Sequence, residues 1–380
     1  MKILIATHYH PEHLGGVELS AHALGLSLSE QGHQVSWCAV SWNALGAISD
    51  SGEPFTRIAL SGTNCIKRWT GLPCPILSPR SIIRLIRAVK GADLVFIHDT
   101  PYLVSIVASL AARAYKKRVL VLQHIGLVPY KSSLLSGLMH LCNIIFARIV
   151  LTPATQVVFN SLDVEHYFRS ITSFSYPPRQ IPLGINTALF KILPEQSRQD
   201  LHEELGIRIG SALIIFVGRF VEEKGIEFVR NVAKHLPEHD FVIAGYGPID
   251  PNKWGLGNVQ VVGVLSQEQL VKLYNAADLL LLPSIGEGLP LVIQESLACG
   301  TSCVVSYETA LAAECPEELC RPSARTVTDL IEAIEGLLAL QRDDLTHRER
   351  AALYAAQRWD QEEGYKSYNS LVASMFAAES

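Results

Sequence analysis

The chain has 380 residues, 48% of them apolar and 18% charged, and carries a net charge of −5. That length suits two cores better than one, and the apolar content excludes global disorder. Residues 1–185 hold 16 Lys+Arg against 9 Asp+Glu, whereas the remainder holds 16 against 28. The basic first half points to an anionic surface or acceptor, with solvated helix faces as the plain alternative.

The N-terminus, MKILIATHY, reads as a short strand. It lacks the longer apolar core and small-residue cleavage site of a signal peptide. Strands are also expected at 35–40, 94–97, 119–123 and 156–159. Helices are expected at 17–31 (stopped by Gly32), 81–90 and 103–115. This βα alternation predicts a parallel sheet. The apolar-rich segment 134–151 is interrupted by His140, Asn143 and Arg148, too polar for a membrane span. The chain is therefore expected to be soluble or peripheral, and cytoplasmic.

Residues 176–195 include Pro177, Pro178, Pro182 and Pro194 and read as a linker. It separates a first domain, 1–185, from a second, 186–359. In the second domain, strands are expected at 213–217, 241–244, 259–262, 279–282 and 302–305, with helices at 225–235 and 267–276. The stretch 346–376 is helical, with an interruption at Trp359-Asp360. The expected fold is α/β, two Rossmann-like domains facing a cleft. The eight cysteines are scattered without a CxxC pair and are expected to be reduced and buried.

Glu287 and Glu295 are separated by seven residues in EGLPLVIQE. Glu287 falls in a loop at the carboxyl end of a strand, and Glu295 a turn or more into the following helix. Ligands bind at that edge of open α/β sheets, and a helix N-terminus there offers free N–H groups to phosphate. Two such glutamates could also simply favour the helix dipole. In GRFVEEKG, Arg219 and Lys224 put a guanidinium fork and a point charge at one strand edge, which suits a diphosphate. Exposed cations balancing Glu222 and Glu223 are the alternative. Gly15 and Gly16 allow close backbone approach between the first strand and first helix. His8, His10 and His13 are spaced awkwardly for a metal. His124, just past a strand, could hydrogen-bond a reacting sugar or be structural. Neither domain carries GxGxxG with a downstream acid, which disfavours a nicotinamide oxidoreductase. There is no DxD tripeptide, so no metal or other cofactor is expected, and Arg219, Lys224 and helix N-termini would neutralise a diphosphate.

These motifs, in this order, resemble the GT-B glycosyltransferases, specifically the retaining family 4. They are GGVE (15–18), QHIG (123–126), IPLGINTALF (181–190), FVGRFVEEKG (216–225), VIAGYGP (242–248), the stretch 259–284, EGLPLVIQE (287–295) and RWD (358–360). The resemblance implies a nucleotide-sugar donor, UDP- or GDP-linked, a glycan or lipid-linked acceptor, and no nucleic-acid partner. Gly16 would approach the donor phosphates and sugar, and Arg219 and Lys224 would hold the diphosphate. Glu287, with the backbone of Gly288 and Leu289, would contact the transferred sugar. Glu295 would accept the ribose hydroxyls, and Val264 would face the base. His124 would lie near the reacting face of the sugar, and a C-terminal helix in residues 360–380 would cross back onto the first domain and complete it. Two departures stand out: 306–319 has no glycine where the family often has a pair, and Tyr246 replaces a small or acidic residue. The rival readings are a sugar-nucleotide epimerase of the same architecture and a non-catalytic sugar-nucleotide-binding protein.

Overall fold

The computed structural model describes residues 1–10, 16–41, 54–63, 75–126, 133–208, 210–285, 288–344 and 346–377. They form two compact units, Met1–Leu183 with Tyr365–Ser380, and Gly184–Gly364.

The first unit holds β1 (Lys2–Tyr9), β2 (Gln34–Val40), β3 (Thr56–Leu60), the short pair β4 (Gly62–Thr63) and β5 (Ile76–Leu77), then β6 (Leu94–His98), β7 (Arg118–Gln123), β8 (Gln156–Phe159) and β9 (Arg179–Gln180). Seven of them form a parallel sheet in the order β3-β2-β1-β6-β7-β8-β9. Successive strand residues point to opposite faces, and both faces are covered, so the central strands are apolar throughout. Leu4, Ala6, Val95, Ile97, Val119 and Val121 pack under helices Pro79–Gly91, Leu103–Ala114, Ser133–Val150 and Leu162–Ile171. Ile3, Ile5, Leu94, Phe96, Leu120 and Leu122 pack under helix Gly16–Glu30 and the C-terminal helix. That last helix, Gln361–Ala377, begins in the second unit and carries Tyr368, Leu371 and Val372 into the first core. The Tyr368 hydroxyl donates to the Ile181 carbonyl at 2.9 Å.

The second unit holds β10 (Leu213–Arg219), β11 (Asp240–Tyr246), β12 (Val259–Gly263), β13 (Leu279–Leu282), β14 (Ser302–Ser306) and β15 (Cys320–Ser323). They form a second parallel sheet, β12-β11-β10-β13-β14-β15. The chain winds outward from β10 to β12, then returns to β13 and winds the other way. The β10–β13 boundary is thus this sheet's topological switch point, and β1–β6 is the equivalent boundary in the first.

The segment read as a linker contributes more than a connection. It supplies edge strand β9, the boundary between the two units after Leu183, and an Ile185 bridge to Asp360. Helix Glu195–Leu205 starts where the linker was expected to end. Among the described residues no helix is long and apolar enough to cross a membrane. The six described cysteines are free thiols, with Cys142 and Cys315 only half-buried; Cys65 and Cys74 lie outside the described residues.

Candidate active site

In the second unit the site forms at the carboxyl ends of β10 and β13. Strand β10 is buried as far as Val217 and then emerges, leaving Arg219 exposed with no side-chain partner among the described residues. Lys224 closes a single 3₁₀ turn, Glu222–Lys224, and is half-buried. Gly225 follows in the left-handed region at φ +74°, and a Cβ there would stand 2.3 Å from the Pro283 carbonyl oxygen. Only glycine therefore lets the loop after β10 lie on the loop after β13. The Ile285 N–H donates to the Glu223 carbonyl at 2.9 Å across the same seam. Gly245, at φ +136°, explains part of GYGP in the same way, because a Cβ would come within 1.9 Å of the Gly218 oxygen. The loops after β10, β11 and β13 meet backbone to backbone, and that contact holds Arg219 and Lys224 on one sheet edge.

Past β13, Ser284 is fully buried and its hydroxyl has no partner among the described residues. Gly288 is buried and Leu289 half-buried. Helix Leu291–Ala298 then begins behind Pro290 with no side-chain cap. Its third N–H, that of Ile293, bonds back to the Pro290 carbonyl at 3.3 Å, and the helix start can offer backbone donors to a ligand. Glu295 lies inside this helix, buried, and its Oε2 already accepts a hydrogen bond from the Tyr274 hydroxyl at 2.9 Å. Burial pushes the Glu295 carboxyl up to about 7, against the opposing effect of the Tyr274 bond. The expected ribose acceptor is thus a buried carboxyl that shares its oxygens with a tyrosine. Sequence reasoning passed over Tyr274, a hydroxyl-bearing ring in the last turn of helix Gln267–Ala276, among Val271, Leu273 and Ala276 on its buried side. Val264 is exposed just past β12, two strands away from β10. Glu287 lies outside the described residues.

In the first unit, polar groups collect at the carboxyl ends of β1, β6 and β7, around that sheet's own switch point. Gly16 opens helix Gly16–Glu30 and is exposed, while Gly15 and His13 lie outside the described residues. His8 Nε2 sits 3.1 Å from Glu18 Oε1, and its ring stacks on Tyr102 at 4.0 Å. His124 follows β7 as expected, but it is not a lone imidazole facing open space. It is 8% exposed, and its Nε2 lies 3.1 Å from Nδ1 of the fully buried His98. Burial brings the His124 imidazole down to about 4 and holds His98 well below the usual histidine range, so both rings are neutral at pH 7.

Among the described residues one cluster has the spacing to hold a cation, namely Glu238, His239 and Glu335. His239 Nδ1 accepts from the Ala212 N–H, which puts the ring proton on Nε2, facing Glu335 at 3.1 Å. His239 also precedes β11, so it lies at the opposite sheet edge from Arg219.

Two parallel-sheet Rossmann-like units, each with its polar groups at a switch point, are the architecture of GT-B glycosyltransferases. The sequence patterns agree: Glycosyltransferase Family 4 matches residues 14–189, and Glycosyl transferases group 1 matches residues 211–339. The chain belongs to this glycosyltransferase family. An uncharacterized glycosyltransferase of Methanocaldococcus jannaschii is 25% identical over 331 residues, 80% of each chain. The sucrose-phosphate synthase structure from Thermosynechococcus elongatus superposes with a TM-score of 0.79 at 22% identity over 99% of both chains. The Anabaena HepE structure in complex with UDP-glucose superposes at 0.76 with 16% identity, over 98% of this chain and all of that one (100%).

Proposed function

We propose that this glycosyltransferase moves a sugar from a UDP- or GDP-linked donor to a hydroxyl of a glycan or lipid-linked acceptor, with retention. The observation that carries the reading is the convergence of Arg219, Lys224 and the uncapped start of helix Leu291–Ala298 on the β10–β13 switch point. A diphosphate placed there meets a guanidinium fork, an ammonium and backbone donors, all fixed before the reaction begins. Such donors stabilise charge as it develops on a leaving diphosphate, which favours cleavage of the bond to the sugar. The departing phosphate can deprotonate the acceptor on the same face, so no protein nucleophile is assigned. The complex of HepE with UDP-glucose supports the donor class. Incubation with a panel of UDP- and GDP-sugars tests the reading. One donor is expected to raise the melting temperature and to yield a glycosylated product in the presence of glycan or lipid acceptors. Stabilisation with no transfer to any acceptor would favour a binding protein instead, and conversion of the donor to an epimer would favour an epimerase.

The surface of the first unit supports a lipid-linked acceptor. Between residues 54 and 162 the chain has 13 Lys+Arg and two aspartates. Asp93 accepts from the Lys2 backbone N–H, and Asp99 is buried. Helices Pro79–Gly91, Leu103–Ala114 and Ser133–Val150 pack side by side over one sheet face. Their outer sides expose Ile83, Leu110, Leu138, Leu141 and Ile145 among Arg80, Arg84, Arg87, Lys90, Arg113, Lys116 and Arg148. Leu138, Leu141 and Ile145 fall at the 3–4 spacing of one helix stripe. Apolar side chains set among cations suit the surface of an anionic bilayer, where a lipid-linked acceptor would lie. Co-sedimentation with phosphatidylglycerol-containing vesicles is expected at low salt and lost at high salt. The variants Leu138→Asp with Leu141→Asp, and Arg80→Ser with Arg87→Ser and Lys116→Ser, should each abolish it. Absence of vesicle binding at low salt would overturn membrane docking and leave a soluble acceptor.

A further inference from the structure

We infer that His98 is a positioning residue that fixes the tautomer of His124, so that His124 presents Nδ1–H, a hydrogen-bond donor, to the bound sugar. This rests on the reading of His124 as the residue beside the transferred sugar.

The two rings lie within 10° of parallel, with His98 Nδ1 and His124 Nε2 3.1 Å apart. Both are neutral, so one nitrogen carries the shared proton and the other accepts it. The choice propagates to the far side of each ring. If His124 donated from Nε2, His98 would carry its own proton on Nε2, which is buried with no partner among the described residues. Buried N–H groups without acceptors are rarer than under-satisfied acceptors. The favoured arrangement therefore has His98 Nδ1–H donating to His124 Nε2, which puts the His124 proton on Nδ1. The remaining contacts hold this geometry from the backbone. Asp99 sits in the left-handed region at φ +60°, and its Oδ1 accepts from the N–H groups of His124 at 2.7 Å and Ile125 at 3.3 Å. The Thr100 N–H donates to Gln123 Oε1 at 3.0 Å, and Gln123 Nε2 donates to the Ile125 carbonyl at 2.7 Å. The last residues of β6 and β7 are laced together, and both rings follow. A donor at this position suits a sugar hydroxyl. An imidazole presenting a lone pair would instead ask that hydroxyl to donate.

Two-bond ¹H–¹⁵N correlation on the uniformly ¹⁵N-labelled full chain reads the tautomer directly, with His124 assigned by the His124→Gln variant. The expected spectrum has a protonated Nδ1 and a bare Nε2 on His124. Free imidazole side chains favour Nε2–H, so His98→Phe should return His124 to that form and lower kcat by about tenfold, with the KM for the nucleotide sugar little changed. His98→Asn keeps an N–H donor near the Nδ1 position and should retain the native tautomer and most of the turnover. A bare Nδ1 on His124 in the unmodified protein would overturn the inference, whatever the folding of the variants. So would an unchanged tautomer in His98→Phe. If instead the tautomer is as stated but His124→Gln leaves kcat intact, the pairing stands and the role of His124 at the sugar fails.

Discussion

Replacing Arg219 and Lys224 together with alanine should cut turnover by about 10⁴-fold or more, since each preorganised donor to a developing anion contributes roughly 10²–10³. Two features of the second unit make this the largest expected effect. Arg219 is exposed at the end of β10 and has no side-chain partner among the described residues, so its removal leaves no stranded carboxylate. Lys224 sits on a one-turn segment held by the Gly225–Pro283 and Ile285–Glu223 backbone contacts. The loop should therefore keep its course, and the melting temperature should move little. Arg219→Lys should recover only part of the loss, because an ammonium cannot form the paired contacts of a guanidinium. With both cations in place, turnover is expected to survive a strong chelator. Loss of activity in chelator that Mg²⁺ or Mn²⁺ restores would show that a metal does the work assigned here to Arg219 and Lys224.

Donor affinity should rise with pH between about 5.5 and 7.5, by roughly 10- to 30-fold for a single carboxyl titrating near 7. The cause is Glu295. Ribose hydroxyls donate, so the ionised carboxylate is the binding form, yet burial favours the protonated one in the free protein. Below about 7 the donor must displace a proton on binding, and above it the site is already ionised. The linkage to stability has the opposite sign. A carboxyl raised above its unfolded value stabilises the fold below about 4.5, and that contribution is lost as pH climbs through 7. A nucleotide sugar is the proper probe, because its diphosphate diester does not titrate in this range. Glu295→Gln should flatten the profile and hold affinity near the low-pH value. Tyr274→Phe removes the bond to Oε2 and should raise the Glu295 carboxyl further, moving the profile to higher pH. A donor affinity independent of pH in the unmodified protein would exclude Glu295 from the ribose.

The central strands were legible because burial on both faces makes them continuous apolar runs. LIIFV, LLLL and VLVL were recognisable without a partner in view. The edge strands β3, β9 and β15 were not. Edge positions tolerate residues that interior strands refuse, as in CRPS, where Pro322 sits in β15, and in the two-residue β9 beside the prolines of the expected linker. The sheet edge that carries Arg219, Lys224 and Glu295 could be read from motif spacing, because loop-to-helix order after a parallel strand dictates which edge they occupy, whereas Gly288 and Leu289 followed only from the family resemblance. Tyr274 and His98 could not. Each acts through a contact between elements distant in sequence, 21 residues from Tyr274 to Glu295 and 26 from His98 to His124, and only strand order and helix packing create those contacts. The glycines of GYGP and EEKG were visible as letters, but their reason, backbone pressed on backbone at Gly218 and Pro283, belongs to the folded unit.

Hydrogen exchange with and without the nucleotide sugar that best stabilises the protein locates the donor most directly. Donor held at the β10–β13 switch point should slow the amides of residues 218–225 and 288–295, and Arg219→Ala with Lys224→Ala should erase that protection. Protection confined to the first unit, or to the opposite edge of the second sheet around His239, would contradict the donor site described for this glycosyltransferase.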